Sequence, residues 1–382
     1  MRFEFATATR IIFGPGKISE LAGLAPAFGN HGLVVTGVNA DRAKQHLSAL
    51  ESAGIACRYF SIAGEPTIDT VREGASAARY ANFVIGFGGG SAVDAAKAIA
   101  AVAPNSGEPL DYLEVIGQAR PFENPPLPFI AIPTTAGTGA EVTRNAVLGS
   151  PEKRVKASIR NPLMLARLAI VDPDLTLAVP NSVTAATGLD TLTQLIEPYV
   201  SSRSNPFTDL FCVEGLNRAI DALPKAYANG ADRLARTEMA FASLLSGLAL
   251  ANAGLGVVHG FAAPLGGLTN APHGALCAAV LPHGTALNIR ALRERAPTHP
   301  ALGKYARIAA LLTQDQNAAP EAAVTALANL CDSLDIPSLR AHGLNANDIP
   351  GIVEKAAAAS SMKANPISLT ASELTEILER AL

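Results

Sequence analysis

The stretch FVIGFGGGSAVDAAKAI, residues 83–99, runs from apolar residues through three glycines into a segment with helical spacing. It predicts a buried strand that leads to Gly88, Gly89 and Gly90, followed by a helix that Ser91 opens. Backbone N–H groups then converge at the positive end of a helix dipole, and glycines let a diphosphate approach the backbone. The spacing is not that of the standard dinucleotide fingerprint, so a tight turn without a ligand is the alternative.

The same alternation of strand and helix continues on both sides of this stretch. Short β-branched runs separated by helical segments are typical of βαβ units and predict a parallel sheet. The predicted strands are GLVVTG (32–37), ACRYFSI (56–62), NFVIGF (82–87), PFIAIP (128–133) and LAIVDP (168–173). Helices are predicted over residues 40–54 and 67–80.

Beyond residue 180 the pattern changes to helical periodicity with little strand signal. The helical runs cover residues 183–202, 236–254, 299–314, 320–335 and 372–382. The 382 residues suit two domains, and we predict an α/β domain over residues 1–179 and an all-α domain over residues 180–382. PNSV (180–183) is predicted to form a hinge and a helix cap.

Composition excludes two classes of partner. A net charge of −3, 5% aromatic residues and no Trp leave no basic face or stacking platform for nucleic acid. The N-terminus lacks a secretory pattern, and the best membrane candidate, residues 83–103, contains four glycines, an aspartate and a lysine.

The absence of CxxC pairs predicts buried free thiols and a cytoplasmic location. The cysteines are Cys57, Cys212, Cys277 and Cys331.

A second loop, PFIAIPTTAGTGAEVT (128–143), leads from a strand into hydroxyl side chains and glycines. Ligands of open α/β sheets collect at the carboxyl ends of strands, so Thr134, Thr135 and Thr138 are candidates for binding the same diphosphate. A purely structural turn is the alternative.

The coenzyme specificity depends on Gly37, which ends GLVVTG where an aspartate would accept both hydroxyls of the adenosine ribose. The absence of that carboxylate removes a charge that repels a 2′-phosphate. We therefore expect NAD or NADP, with NADP at least as favourable. Arg42 and Lys44 are candidates for the phosphate, or else solvated helix residues.

Reactive side chains gather in the helical half. Asp190 and Gln194 lie four residues apart and so share a helix face, and His259 and His273 frame HGFAAPLGGLTNAPHG (259–274). We expect Asp190 and the two histidines to meet in one cleft. The alternative is that both histidines are satisfied core residues.

Several motifs resemble the iron-containing, group III, alcohol dehydrogenases over nearly the whole chain. These motifs are GGGSAVDAAKA, IPTTAGTGAEVT, VDPDLTLAVPNSVTAATGLDTLTQLIE and HGFAAPLGGLTNAPHGALCAAVLPHG. The resemblance implies the fold shared with dehydroquinate synthase, with a dinucleotide-binding domain, a helical metal and substrate domain, a nicotinamide in the cleft and a homodimer. It also implies roles near the coenzyme for Lys156 and Asp94, for which a surface lysine and a helix cap are the alternatives.

The resemblance places the family's divalent metal at Asp190, Gln194, His259 and His273, and a further family histidine at Ala263. Gln194 and Ala263 depart from the family pattern. An amide oxygen binds transition metals more weakly than imidazole, so a site for Fe²⁺ or Zn²⁺ is weakened or lost, and metal retention stays open. The related maleylacetate reductases, which work without a required metal, depart instead at the position of Asp190.

The leading hypothesis is hydride transfer between NAD(P) and a small alcohol or aldehyde, a ketone or an oxo acid. His259 and His273 either hold a metal or donate the proton. The alternatives are reduction of an unsaturated oxo acid as in maleylacetate reductases, a lyase of the dehydroquinate synthase type, and a non-catalytic dinucleotide-binding homologue.

Overall fold

The computed structural model describes residues 2–153, 155–269 and 271–382. These residues form two compact units. The α/β unit comprises Ala6–Thr135 and Gly139–Ala178, and the helical unit comprises Val179–Leu382 together with Ala136–Thr138 and the N-terminal residues through Phe5. The predicted fold class, a parallel α/β domain followed by an all-α domain, is confirmed. The assignment of residues 1–179 to the dinucleotide and 180–382 to metal and substrate stays a prediction.

The α/β unit is built on a six-stranded parallel sheet in the order β1-β8-β5-β4-β2-β3, with β6 and β7 as a separate antiparallel hairpin. The strands are β1 Ile11–Phe13, β2 His31–Thr36, β3 Ala56–Ser61, β4 Phe83–Gly88, β5 Phe129–Pro133, β6 Asn145–Ser150, β7 Val155–Arg160 and β8 Leu168–Val171. The α-helices of this unit are α1 Leu21–Leu24, α2 Ala40–Leu47, α3 Ala49–Ser52, α4 Ile68–Ala77 and α5 Gly90–Val102.

The sequence predicts five of the six strands of the sheet, β2, β3, β4, β5 and β8, but neither β1 nor the hairpin. Strand β1 has three residues, too few for a pattern. Strand β6 alternates between buried and half-buried residues, as expected of a sheet with one exposed face, but its NAVLGS sequence has few β-branched residues. The helix after the glycines begins one residue earlier than predicted, at Gly90, with Gly89 as the N-cap.

The helical unit contains nine α-helices among its described residues. They are α6 Asn181–Val200, α7 Pro206–Ala228, α8 Arg233–Ala253, α9 Val257–Leu268, α10 His273–Arg295, α11 Pro300–Thr313, α12 Ala322–Ser333, α13 Ile349–Ala357 and α14 Ala371–Ala381. Helix α6 packs against α7, α8 and α10 and is buried along most of its length. A helix enclosed in this way carries its polar side chains into the interior, where each needs a partner.

Two details differ from the expectations. The N-cap of α6 is Pro180, which makes no side-chain cap, whereas Asn181 and Ser182 lie inside the helix. Cys212, Cys277 and Cys331 are buried free thiols as predicted, but Cys57 is partly exposed because β3 is an edge strand of the sheet.

Among the described residues, one helix, Arg233–Ala253, is long and apolar enough to cross a membrane by length and composition, and it differs from the candidate segment 83–103. About two thirds of its most apolar window, 67%, is buried inside the protein. It packs against α6 and α7, so burial in a helical core accounts for its apolar composition.

Candidate active site

Three polar side chains lie on one buried face of α6. Asp190, Gln194 and Glu197 are separated by four and three residues, the spacing that aligns side chains along a helix. They are 1%, 3% and 5% exposed, respectively. Glu197 ends the motif VDPDLTLAVPNSVTAATGLDTLTQLIE, and the sequence pattern alone did not predict it as a site residue. Its position seven residues after Asp190, on the same face, is the signal that identifies it.

Glu197 orients His259. One carboxylate oxygen, Oε1, accepts the backbone N–H of Val258 at 2.7 Å, in the first turn of α9. The other, Oε2, lies 2.7 Å from Nδ1 of His259, which we assign as the protonated ring nitrogen because its partner is a carboxylate. The second ring nitrogen, Nε2, then faces Asp190, with Oδ1 at 3.4 Å.

Helix α10 contributes two further side chains, one turn apart. His273 Nε2 lies 3.7 Å from Asp190 Oδ1 and 3.6 Å from the sulfur of Cys277. The close approach of α10 to α6 depends on Gly274, because a Cβ there would lie 2.2 Å from the carbonyl oxygen of Ala186. The His273 side chain is 34% exposed, so solvent reaches the site on this side.

We call Asp190, His259, His273 and Cys277 the donor cluster, because one donor atom from each lies within 4.8 Å of the others. Two of these atoms, Asp190 Oδ1 and His259 Nε2, are buried and have no hydrogen-bond partner among the described residues. Buried polar atoms without partners are rare and costly. A carboxylate, two imidazoles and a thiol are all metal donors, so the residues present fit a divalent cation.

The hydrogen bonds of Gln194 differ from those expected of a metal ligand. Its amide nitrogen donates to Asp190 Oδ2 at 2.8 Å, and its oxygen accepts from Ser246 Oγ at 3.0 Å. An amide nitrogen has no lone pair available for a metal, and the oxygen already has a partner. Gln194 therefore orients Asp190, and its predicted role as a ligand stays a prediction without support from this geometry.

The ionisable groups of the donor cluster shift one another's pKa values. Burial opposes ionisation of Asp190, but the neighbouring His273 and His259 outweigh it and hold the pKa of the carboxyl below its usual range. Burial likewise opposes charge on His273, yet Cys277 and Asp190 raise its pKa to about 9. The imidazoles outweigh the burial of Cys277 and lower the pKa of its thiol. The cluster thus favours ionised acidic groups beside protonated imidazoles.

In the α/β unit, the carboxyl ends of β2 and β4 meet at the point where the strand order reverses. We call Gly88–Ser91 the phosphate turn, after the ligand that the sequence predicts for it. A Cβ at Gly88 would lie 2.7 Å from that of Ala92 and 3.7 Å from the backbone nitrogen of Gly37, so the two strand ends are adjacent and glycine is required. Ligands of open α/β sheets bind at such a switch point.

The loop that follows β5, residues 134–139, has residues in both units. The backbone N–H of Thr134 donates to the carbonyl of Gly88 at 2.8 Å, and a Cβ at Gly89 would lie 3.4 Å from Thr135 Oγ1. Both threonines thus lie beside the phosphate turn. Thr138 instead belongs to the Ala136–Thr138 segment of the helical unit.

Other predicted coenzyme residues have partners within the α/β unit. Asp94 accepts the backbone N–H of Val147 at 3.0 Å and so links α5 to β6. Lys156 pairs with Glu65 and its side chain is only 10% exposed, which rules out the free surface lysine of the alternative. Arg42 donates to the carbonyl of Leu175. The roles of these residues toward a coenzyme stay predictions.

Comparison with known proteins covers both units. Residues 8–173 match the family described as iron-containing alcohol dehydrogenase, and residues 184–382 match the Fe-containing alcohol dehydrogenase family, C-terminal. Alcohol dehydrogenase 4 of Saccharomyces cerevisiae is 37% identical over 319 residues, which are 83% of this chain and 80% of that protein.

Two further comparisons extend over more of the chain. The NAD-dependent methanol dehydrogenase of Bacillus methanolicus is 35% identical over 356 residues, 91% of this chain and 89% of that protein. The crystal structure of a 1,3-propanediol oxidoreductase superposes with a TM-score of 0.92 at 33% identity and covers 100% of both chains.

Proposed function

The chain belongs to the iron-containing alcohol dehydrogenase family, and from that premise we propose that it transfers a hydride between a nicotinamide coenzyme and a small carbonyl compound or its alcohol. It is an NAD(P)-dependent oxidoreductase of that family. The proposal concerns the substrate class, an aldehyde, ketone or oxo acid, and the residues that act on it.

The donor cluster is the observation that carries the proposal. Hydride transfer to a carbonyl carbon builds negative charge on the oxygen, which must be stabilised by a positive centre or a proton donor. His259 Nε2 and Asp190 Oδ1 are buried without hydrogen-bond partners among the described residues, and His273 beside them is open to solvent. These side chains are therefore suited to hold a charged reactant or a cation.

Each residue has a distinct role in this proposal. A divalent metal held by Asp190, His259 and His273 would polarise the carbonyl oxygen. Glu197 keeps His259 in the tautomer whose Nε2 faces the cluster. His273 is the proposed proton donor when no metal is bound, because its raised pKa of about 9 keeps the imidazole protonated at neutral pH.

For the coenzyme, we propose that the phosphate turn, with Thr134 and Thr135, binds the diphosphate and that Gly37 lies near the adenosine ribose. Gly37 carries no charge that would repel a 2′-phosphate. Arg42 and His46 line an open groove together with two acidic residues, Asp41 and Asp174. The uncharged Gly37 supports NADP as at least as good a coenzyme as NAD.

Oxidation of NADH and NADPH in the presence of a panel of aldehydes, ketones and oxo acids tests the proposal. We expect turnover with at least one class, and loss of turnover in His259→Ala but not in His342→Ala, a histidine of a short 3₁₀ helix. Repeating the assay after chelation and after metal addition separates the metal-dependent from the proton-donor route. Absence of turnover with every carbonyl and both coenzymes would refute the proposed substrate class.

A maleylacetate reductase-like reaction on an unsaturated oxo acid is the second candidate and belongs in the same panel. Its supporting observation is Gln194 in place of a histidine. Asp190, at the position where those enzymes depart from the family, lies at the centre of the donor cluster here and argues against it. The family membership argues against a non-catalytic homologue. A homodimer and a cytoplasmic location are also proposed.

A further inference from the structure

Cys277 occupies a place that the family resemblance assigns to no ligand. It lies on α10 one turn after His273, its side chain is buried, and its sulfur belongs to the donor cluster. Three of the four family positions, Asp190, His259 and His273, supply the other donors of that cluster. The fourth position, Gln194, directs its amide nitrogen at Asp190.

We infer that Cys277 is the fourth metal ligand of this chain and replaces the imidazole that Gln194 lacks, which makes the site selective for Zn²⁺ over Fe²⁺. This inference rests on the proposed function only in placing a metal at the donor cluster. It assigns the cluster a carboxylate oxygen, two imidazole nitrogens and one thiolate sulfur as ligands.

Three of the six distances between the donor atoms fall in the range of a tetrahedral site, and all six are at most 4.8 Å. Zinc bonds of about 2.0 to 2.3 Å place neighbouring ligands of a tetrahedron roughly 3.3 to 3.8 Å apart. His259 Nε2 lies 3.4 Å from Asp190 Oδ1, and His273 Nε2 lies 3.7 Å from the same oxygen. Cys277 Sγ lies 3.6 Å from His273 Nε2. These donor atoms can therefore surround one small cation with little rearrangement.

The environment favours a ligand role for Cys277 over a merely structural one. The two donor atoms that lack hydrogen-bond partners among the described residues, Asp190 Oδ1 and His259 Nε2, belong to the same cluster as the sulfur. Cys331, another buried thiol, makes a different contact, with its sulfur 3.5 Å from the carbonyl oxygen of Ala278. Cys331 therefore provides a matched control.

The choice of metal follows from the donors. Divalent zinc binds nitrogen and sulfur ligands more tightly than ferrous iron does, and a soft thiolate increases the difference. Zinc also accepts a fifth donor, so four protein ligands do not exclude a substrate oxygen. Replacement of the sulfur by oxygen should therefore weaken Zn²⁺ binding more than Fe²⁺ binding.

The test uses the full-length protein stripped with a chelator and titrated with Zn²⁺, Fe²⁺ under anaerobic conditions, and Co²⁺. Competition with a chromophoric chelator gives the dissociation constants, and Co²⁺ reports sulfur ligation through a near-ultraviolet charge-transfer band. We expect one Zn²⁺ per chain and a sulfur-to-cobalt band in the wild type and in Cys331→Ser. In Cys277→Ser the band should disappear and Zn²⁺ affinity should fall at least about tenfold.

A double variant keeps the inference testable if Cys277→Ser is unstable. Gln194→His combined with Cys277→Ser restores a fourth ligand, so metal affinity should recover without the charge-transfer band. A band that persists in Cys277→Ser, or equal Zn²⁺ affinity in that variant and the wild type, would overturn the inference. Carbonyl reduction by chelator-treated wild type would leave the proposed function standing, whereas zinc binding without any turnover would contradict only the proposed function.

Discussion

Glu197 contacts His259 and the backbone beside it, although it is not a member of the donor cluster. Its two oxygens satisfy two buried donors, the backbone N–H of Val258 and the Nδ1–H of His259. A carboxylate can accept both bonds at once, whereas an amide offers one acceptor and one donor group. At the residue scale, one side chain therefore contacts both the first turn of α9 and the ring nitrogen that fixes the tautomer of its histidine.

Replacement of Glu197 by Gln should reduce activity and metal affinity by about 10- to 100-fold, because a hydrogen bond to the other ring nitrogen orients a metal-binding histidine. One of the two buried N–H groups loses its acceptor. Steady-state kinetics and metal competition measure the effect, and the exposed Glu321→Gln, which loses only a pair with Arg293, is the control. Wild-type activity in Glu197→Gln would show that the carboxylate does not orient the ring.

Replacement of Gly37 by Asp should shift coenzyme preference from NADPH toward NADH by at least about tenfold in kcat/KM, because a carboxylate there accepts ribose hydroxyls and repels a 2′-phosphate. A Cβ at Gly37 meets no atom within 4 Å, so the side chain fits. Val38→Asp adds the same charge at the next, 78% exposed, position and should shift the preference less. Equal shifts of coenzyme preference in both variants would show that the added charge acts at either position, and would contradict a specific role for position 37.

At the element scale, the donor cluster depends on how closely three helices approach one another. Helix α6 supplies Asp190, α9 supplies His259, and α10 supplies His273 and Cys277. Gly274 permits this approach, since a Cβ there would lie 3.2 Å from the Cβ of Asp190 as well as against the backbone of Ala186. The spacing of the donor atoms is thus a consequence of helix packing.

Replacement of Gly274 by Ala should destabilise the protein by about 1 to 3 kcal/mol, because α10 must move away from α6. It should also lower metal affinity by displacing His273 and Cys277. Gly303→Ala is the matched control, because this helical glycine on α11 is exposed and its Cβ would meet nothing within 4 Å.

The control should gain about 0.5 to 1 kcal/mol in free energy of unfolding from improved helix propensity. Denaturant unfolding of both variants supplies the comparison. If Gly274→Ala proved as stable as Gly303→Ala, the proposed dependence of the site on close helix packing would be wrong.

At the scale of the whole molecule, the free energy of unfolding should depend on pH through a buried acidic group that lies outside the donor cluster. Burial raises the pKa of Glu141 to about 7, and the side chain is 3% exposed. Lys97, buried as well, donates to the carbonyl of Ala140 at 2.7 Å and to Thr143 Oγ1 at 2.9 Å. The α/β unit therefore encloses two ionisable groups beneath its second loop.

An acid whose pKa is raised by folding is protonated in both states at low pH and resists ionisation in the folded state at high pH. The free energy of unfolding should therefore fall as pH rises from about 4.5 to 7 and then level off. Glu141→Gln should remove this dependence. The difference in free energy of unfolding between this variant and wild type should therefore be up to about 3 kcal/mol more favourable to the variant at pH 8 than at pH 4. Thermal unfolding between pH 4 and pH 8 measures this dependence, and the exposed Glu152→Gln is the control. Parallel stability profiles for wild type and Glu141→Gln would contradict the prediction.

Much of the fold follows from local patterns in the chain. The buried run before Gly88, the β-branched segments around it and the change to helical periodicity after residue 180 predict the parallel sheet and the helical unit. The hairpin β6–β7 escaped prediction because its residues alternate in burial but lack strong strand propensity. Asp190, His259 and His273 were predicted from the helical spacing of Asp190 and Gln194, from the two nearby histidines and from the family motifs.

The sequence by itself therefore predicted the class of fold, the glycine turn after β4 and three members of the donor cluster, because strand and helix periodicity and the residue types of the motifs are visible in the chain itself. Only the tertiary structure decided the rest. Cys277 resembles three other isolated thiols in the sequence, and Glu197 resembles any helical glutamate, until α6, α9 and α10 pack together. Gln194 occupies a ligand position in the sequence, but hydrogen bonds to Asp190 and Ser246 determine the direction of its amide. Such contacts join residues distant in the chain, and no local pattern encodes them.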